Sequence, residues 1–169
     1  MRALPWRMLV RDALIVALTW FVWRADALLR IETGFVPAAV AVLAGTLAAV
    51  SAYLAHEWGH LLAAKASGAV VHYPERVAST FLFYFDVSRN DARQFLAMSL
   101  GGFAASAMAL PLLVLWLPAG ALSTWVAYAL AGAGLVATLA TELPPFFRVA
   151  RGGRLPRGFV YREDARQGI

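Results

Sequence analysis

Four long apolar stretches separated by short polar breaks set the outline of this chain. The first runs from Ala13 to Trp23, with Arg2, Arg7 and Arg11 before it and Arg24 and Asp26 after it. It predicts a helix to about Leu29, anchored at its end by interfacial tryptophan and snorkelling arginine. Ala25-Asp26-Ala27 imitates a signal-peptide cleavage site, but the bulky Trp20, Phe21 and Trp23 and the charge on Arg24 argue for a retained helix. The second stretch follows Gly34 and runs from Pro37 to Ala66, where Gly68 should end it. Its early part is rich in alanine and glycine, which lets neighbouring backbones approach closely in a bilayer. At about 30 residues and ~45 Å it is longer than a ~30 Å hydrocarbon core. A third helix is predicted over Phe95 to Leu117, with Gly101, Gly102, Ala105 and Ser106 as a small-residue face. After the turn at Pro118-Ala119-Gly120, a fourth spans Leu122 to Leu143, and Pro144-Pro145 should stop it.

Between Gly68 and Arg93 the period changes. Val70 to Tyr73, and Thr80 to Val87 with Phe81, Phe83 and Phe85 alternating, read as two β-strands broken at Pro74-Glu75-Arg76. Such a hairpin has two equally weighted uses. Its unpaired edge can take an extended peptide as an added strand, making Phe81, Phe83 and Phe85 substrate-binding, or its aromatics can anchor it at the membrane interface. The expected fold is therefore an all-α integral membrane protein with four transmembrane helices and a small β-hairpin between the second and third. It forms one domain over 1–169, with an N-terminal helix at 1–33, a three-helix core with hairpin at 34–145 and an Arg-rich tail at 146–169.

Composition sharpens this outline. Hydrophobic residues make up 61% of the chain and the mean hydropathy is +0.65, far above the roughly 45–50% apolar content of soluble domains. The net charge of +5 does not point to nucleic acid, because the arginines flank apolar spans and no basic face is interleaved with exposed aromatics. Lys and Arg gather before the first helix, between the second and third, and after the fourth. That distribution places both termini and the middle loop in the cytoplasm. With no cysteine, any metal must be held by histidine and carboxylate.

Two of the chain's three histidines fall in His56-Glu57-Trp58-Gly59-His60. On a helix, positions four apart share a face, so His56 and His60 can reach one metal ion while Glu57 sits beside it as a general base. The bland use of the pair is as polar glue between helices. Three costly residues at this spacing in a lipid-like segment favour the chemical one. A catalytic zinc takes three protein ligands and leaves a position for water. The only acidic residue between Asp91 and Glu163 is Glu142. Charge topology puts it at the depth of the histidines, which makes it the expected third ligand. A salt bridge to Arg148 or Arg151 is its alternative role, and His72 or Asp86 would then be the next candidate ligand.

The HEWGHLLAAKASG segment, the strand-rich loop, Ser99-Leu100-Gly101-Gly102-Phe103 and the closing acidic residue with prolines together resemble the site-2 protease family of intramembrane zinc metalloproteases. The resemblance covers roughly Val36 to Leu155. It implies a three-helix core holding Zn2+ between the motif helix and a later helix that bears an aspartate. This chain departs at Gly101-Gly102, where Gly-Pro is usual, and at Glu142-Leu143-Pro144-Pro145, where Asp-Gly is usual.

The implied function is hydrolysis of a peptide bond in or near a transmembrane segment of a membrane-protein or peptide substrate, in a bacterial plasma membrane. Glu57 would be catalytic and His56, His60 and Glu142 would hold the metal. The alternatives are a catalytically inactive metal-binding membrane scaffold and a metal-ion transporter. Transport would want further ligands along a path, and the third helix offers none.

Overall fold

Residues 5–157 and 161–162 are described in a computed structural model of the chain. The elements run α1 (Trp6–Leu29), α2 (Phe35–Ala66), β1 (Val71–His72), β2 (Tyr84–Asp86), α3 (Ala92–Trp116), α4 (Leu122–Ala150) and β3 (Tyr161–Arg162). Three helices are long and apolar enough to cross a membrane: α2, α3 and α4, with 32, 25 and 29 residues. Helix α1 forms as expected, but Arg7, Arg11, Asp12, Arg24 and Asp26 interrupt its apolar run at both ends. The result is a mostly helical, membrane-like fold with three clear spans rather than an evident four.

Helix ends follow local chemistry. At the end of α2, Gly68 takes φ +74°; its N–H donates to Lys65 O and that of Ala69 to Ala64 O. This glycine-capped stop satisfies carbonyls that the helix leaves open. Gly152 (φ +83°) ends α4 in the same way, through Gly152 N–H to Val149 O and Gly153 N–H to Arg148 O. The expected stop at Pro144-Pro145 is therefore corrected, since both prolines lie inside α4. They withdraw two N–H donors, yet their fixed φ is helical, so the chain continues to the glycine. Helix α3 begins earlier than its hydrophobic pattern suggests. Asp91 and Gln94 cap it reciprocally, Gln94 N–H to Asp91 Oδ1 and Asp91 N–H to Gln94 Oε1, each at 2.9 Å.

Helical contacts divide the chain into two compact units. The first comprises Met1–Leu54 and Ser106–Val136. Ala41, Ala44, Ala48 and Ala127 are buried there with Met8 and Leu54, and a Cβ on Gly45 would strike Val126 Cβ at 2.7 Å. Asp26 accepts hydrogen bonds from Ser123 Oγ (2.8 Å) and Arg30 Nη2 (3.1 Å). Thr19 Oγ1 lies 2.9 Å from Ser51 Oγ.

The second unit comprises Ala55–Ala105 and Ala137–Ile169. Its core joins Leu61, Ala64, Leu82, Phe83, Phe85, Phe95 and Val149. The two expected strands shrink to a short antiparallel pair, Val71↔Phe85 and His72↔Tyr84, because residues 73–83 form turns and bends. The chain returns at Tyr161–Arg162 as β3, which pairs in parallel with β2 at Phe85↔Tyr161 and Asp86↔Arg162. With the order β1-β2-β3, β2 has no open edge, so strand addition along Tyr84–Asp86 is closed off.

Candidate metal centre

The site begins with a close approach of α2 to α3. A Cβ on Gly59 would meet Gly101 O at 2.5 Å and Ala105 Cβ at 2.6 Å, and one on Gly101 would overlap Ala63. Only glycine at both positions permits this spacing, which carries two α3 carbonyls to the imidazoles of α2. His60 Nδ1 lies 2.9 Å from Met98 O and His56 Nδ1 3.0 Å from Gly102 O. A Cβ on Gly102 would occupy the position of the His60 ring.

These contacts decide the protonation pattern. A carbonyl can only accept, so each Nδ1 must carry a proton, and a ring that is neutral then presents a bare Nε2. The two Nε2 atoms are 3.0 Å apart. Glu142 completes the group, with Oε1 3.2 Å from His56 Nε2 and Oε2 3.2 Å from His60 Nε2. His56 and His60 are 3% and 8% exposed, and Glu142 Oε2 is buried without a hydrogen-bond partner. With neutral rings, lone pairs face one another in a water-poor place, an arrangement that repels unless a proton or a metal ion lies among them. Ligand atoms about 2.0–2.1 Å from a tetrahedral zinc are ~3.3 Å apart, close to these spacings. Backbone carbonyls on the far nitrogens are also what orients metal-binding histidines. His56, His60 and Glu142 therefore form a group that can hold a metal ion, with ligand atoms all within 4.8 Å.

Beside the group lies a cavity of about 230 Å³ lined by Glu57, His60, Glu142, Phe81, Phe83 and Met98. Ser99 and Thr141 also face it. The Glu57 carboxylate accepts the Leu82 N–H at a long 3.5 Å, which steers it toward the cavity rather than among the ligands. The expected site residues are thus drawn together, apart from Phe85. That ring is fully buried and packs edge-on against Phe95 at 6.0 Å, inside the core and outside the cavity lining. Among the described residues no ion pair joins Glu142 to Arg148 or Arg151, and its carboxylate faces the histidines instead.

His72 and Asp86 are engaged with each other, His72 Nε2 to Asp86 Oδ2 at 2.9 Å. Ser88 donates twice more to Asp86, from its N–H (3.1 Å) and its hydroxyl (2.6 Å). Burial pushes the Asp86 carboxyl up, but the hydrogen bonds from His72 and Ser88 outweigh it and leave it below the usual carboxylate range.

The Met98 and Gly102 carbonyls and the hydroxyl of Ser99 escaped the sequence reading. The small-residue face of α3 was visible as packing, but a backbone acceptor leaves no mark in side-chain identity. Compared with protein-family models, curated proteins and solved structures, the chain finds no match.

Proposed function

We propose that this chain is an intramembrane zinc metallopeptidase of the site-2 protease type, which hydrolyses a peptide bond in or beside a transmembrane segment of another membrane protein. One observation carries the reading: two bare imidazole nitrogens and a carboxylate converge, each imidazole locked from behind by a carbonyl, beside a cavity that Glu57 enters. Zinc bound there would supply Lewis acidity toward a carbonyl and make a water molecule a nucleophile near neutral pH. His56, His60 and Glu142 hold and orient. Glu57 takes a proton from the attacking water and delivers it to the departing amine. Phe81, Phe83 and Met98 offer an apolar wall to a hydrophobic substrate segment and keep bulk water out.

In this reading α1 is a fourth crossing, because its membrane-costly carboxylates are buried and paired, Asp12 with Arg11 and Asp26 with Arg30 and Ser123. The arginine distribution then sets both termini in the cytoplasm. The deciding experiment is metal analysis of the purified protein together with cleavage of membrane-segment peptides. About one zinc per chain, with cleavage lost on chelation and restored by zinc, is the expected result. No bound metal overturns the reading, and zinc without cleavage of any peptide leaves a metal-binding scaffold.

A further inference from the structure

We propose that Ser99 is a catalytic residue of this site, its hydroxyl donating a hydrogen bond to the carbonyl oxygen of the bond being broken. The proposal rests on the peptidase reading and adds a group to it. Ser99 lies on the turn of α3 that orients both imidazoles, directly after Met98 and three residues before Gly102, whose carbonyls receive the Nδ1 protons. It is 4% exposed and faces the same cavity as Glu57, His60 and Glu142.

Its hydroxyl behaves unlike others in these helices. Thr19, Thr46 and Thr141 each turn back to the carbonyl four residues earlier, at 2.8 Å. That is the usual refuge of a hydroxyl in apolar surroundings. Ser99 makes no such bond, and its hydroxyl is without a hydrogen-bond partner among the described residues.

A proton count over the cavity gives this its meaning. Glu57 and Glu142 are acceptors as carboxylates, and the His60 proton is committed to Met98 O. The Thr141 proton is committed to Ala137 O, and Phe81, Phe83 and Met98 have none to give. Ser99 therefore holds the one uncommitted side-chain proton among the described residues of the lining. When water adds to a peptide carbonyl here, the C–O π pair moves onto oxygen, close to two carboxylates that repel it. A preorganised donor at that oxygen is worth most in such a dry setting. The Ser99 O–H strengthens its hydrogen bond as charge builds and keeps its proton. Glu57 carries the water proton to nitrogen as the C–N bond breaks.

The test uses the full-length, zinc-loaded protein in detergent, with quenched apolar peptides as substrates. A phosphinate peptide, which carries the tetrahedral charge without reacting, gives a second readout. Ser99→Ala should lower kcat ~100-fold and weaken phosphinate binding by a similar factor. KM and zinc stoichiometry should stay unchanged. Ser99→Thr, which keeps the hydroxyl, should recover most of both losses. Unchanged kcat and phosphinate affinity in Ser99→Ala would overturn the proposal, and so would loss of zinc from that variant, which marks a structural role. If wild-type protein cleaves no peptide and binds the phosphinate no better than the matching amide, the peptidase reading itself fails and Ser99 falls with it.

Discussion

The two units of the chain differ in one group of buried polar side chains. In Met1–Leu54 with Ser106–Val136, Asp12 meets Arg11, Asp26 meets Arg30 and Ser123, and Thr124 meets the Pro118 carbonyl. Each of these side chains is matched to a donor or acceptor, as a structural role requires. In Ala55–Ala105 with Ala137–Ile169, Asp86 is matched likewise by His72 and Ser88. Around His56, His60 and Glu142, however, the bare nitrogens of neutral rings and the carboxylate oxygens face one another across 3.0–3.2 Å. Among the described residues, the fully enclosed side-chain polar atoms without partners, Tyr73 Oη and Glu142 Oε2, both belong to this unit. Polar residues in apolar helices are thus informative through their pairing: closed sets hold helices together, and open sets wait for something else.

The strongest way to break this contrast is to remove the proposed base. Glu57→Gln keeps the shape and both histidines, so cleavage should fall ~1,000-fold while zinc remains bound. Full activity in the purified variant would strip Glu57 of its role. Next comes the open set itself. Glu142→Ala should weaken zinc binding beyond the ~10–100-fold typical of losing a group that merely orients a ligand. Isothermal titration with zinc reads this directly, and unaltered affinity would make Glu142 a bystander. Gly102→Ala should fall within that ~10–100-fold range, because the added methyl displaces His60 while the helix persists.

In the closed set, Asp26→Ala should cost about 1–3 kcal/mol of stability by stranding Ser123 and Arg30. Thermal unfolding measures that loss, and one zinc per chain should remain; metal loss from this variant would blur the distinction between the units. The smallest effect concerns Asp86. Its carboxyl is held below the ordinary value of 3.8, so its contribution is fully present above about pH 4 and fades as pH falls through the lower folded value. Amide-exchange protection at the hairpin, taken relative to the intrinsic rate at each pH, should fall over that acid range in wild-type protein. In Asp86→Asn protection should already be low at neutral pH, and identical profiles would remove the His72–Asp86 contact as a hairpin lock.

The helices and the motif were legible in sequence because their signals are local. Apolar run length marked α2, α3 and α4, and the four-residue spacing put His56 and His60 on one face. Glu142 was found by a longer argument from charge distribution and from the cost of a carboxylate in lipid. The sequence misled where tertiary context overrides a local rule. Pro144-Pro145 signals a stop but lies within α4, and the alternation of Phe81, Phe83 and Phe85 signals one strand face. In the structure Phe85 belongs to the core while Phe81 and Phe83 face the cavity. The pairing of β3 with β2 was invisible, since two-residue parallel bridges carry almost no periodicity.

The proline pair inside α4 has a mechanical consequence. Neither Pro144 nor Pro145 can supply the N–H that the carbonyls of Ala140 and Thr141 would receive in a regular helix. Two adjacent rungs are therefore missing in the turn that carries Glu142, and a helix yields most readily where its ladder is broken. The histidines sit on an uninterrupted helix and are tied at the back to α3. The triangle of candidate ligands thus has two stiff corners and one compliant corner. An ion somewhat larger or smaller than zinc would be accommodated by tilting the carboxylate, with the imidazoles staying where they are.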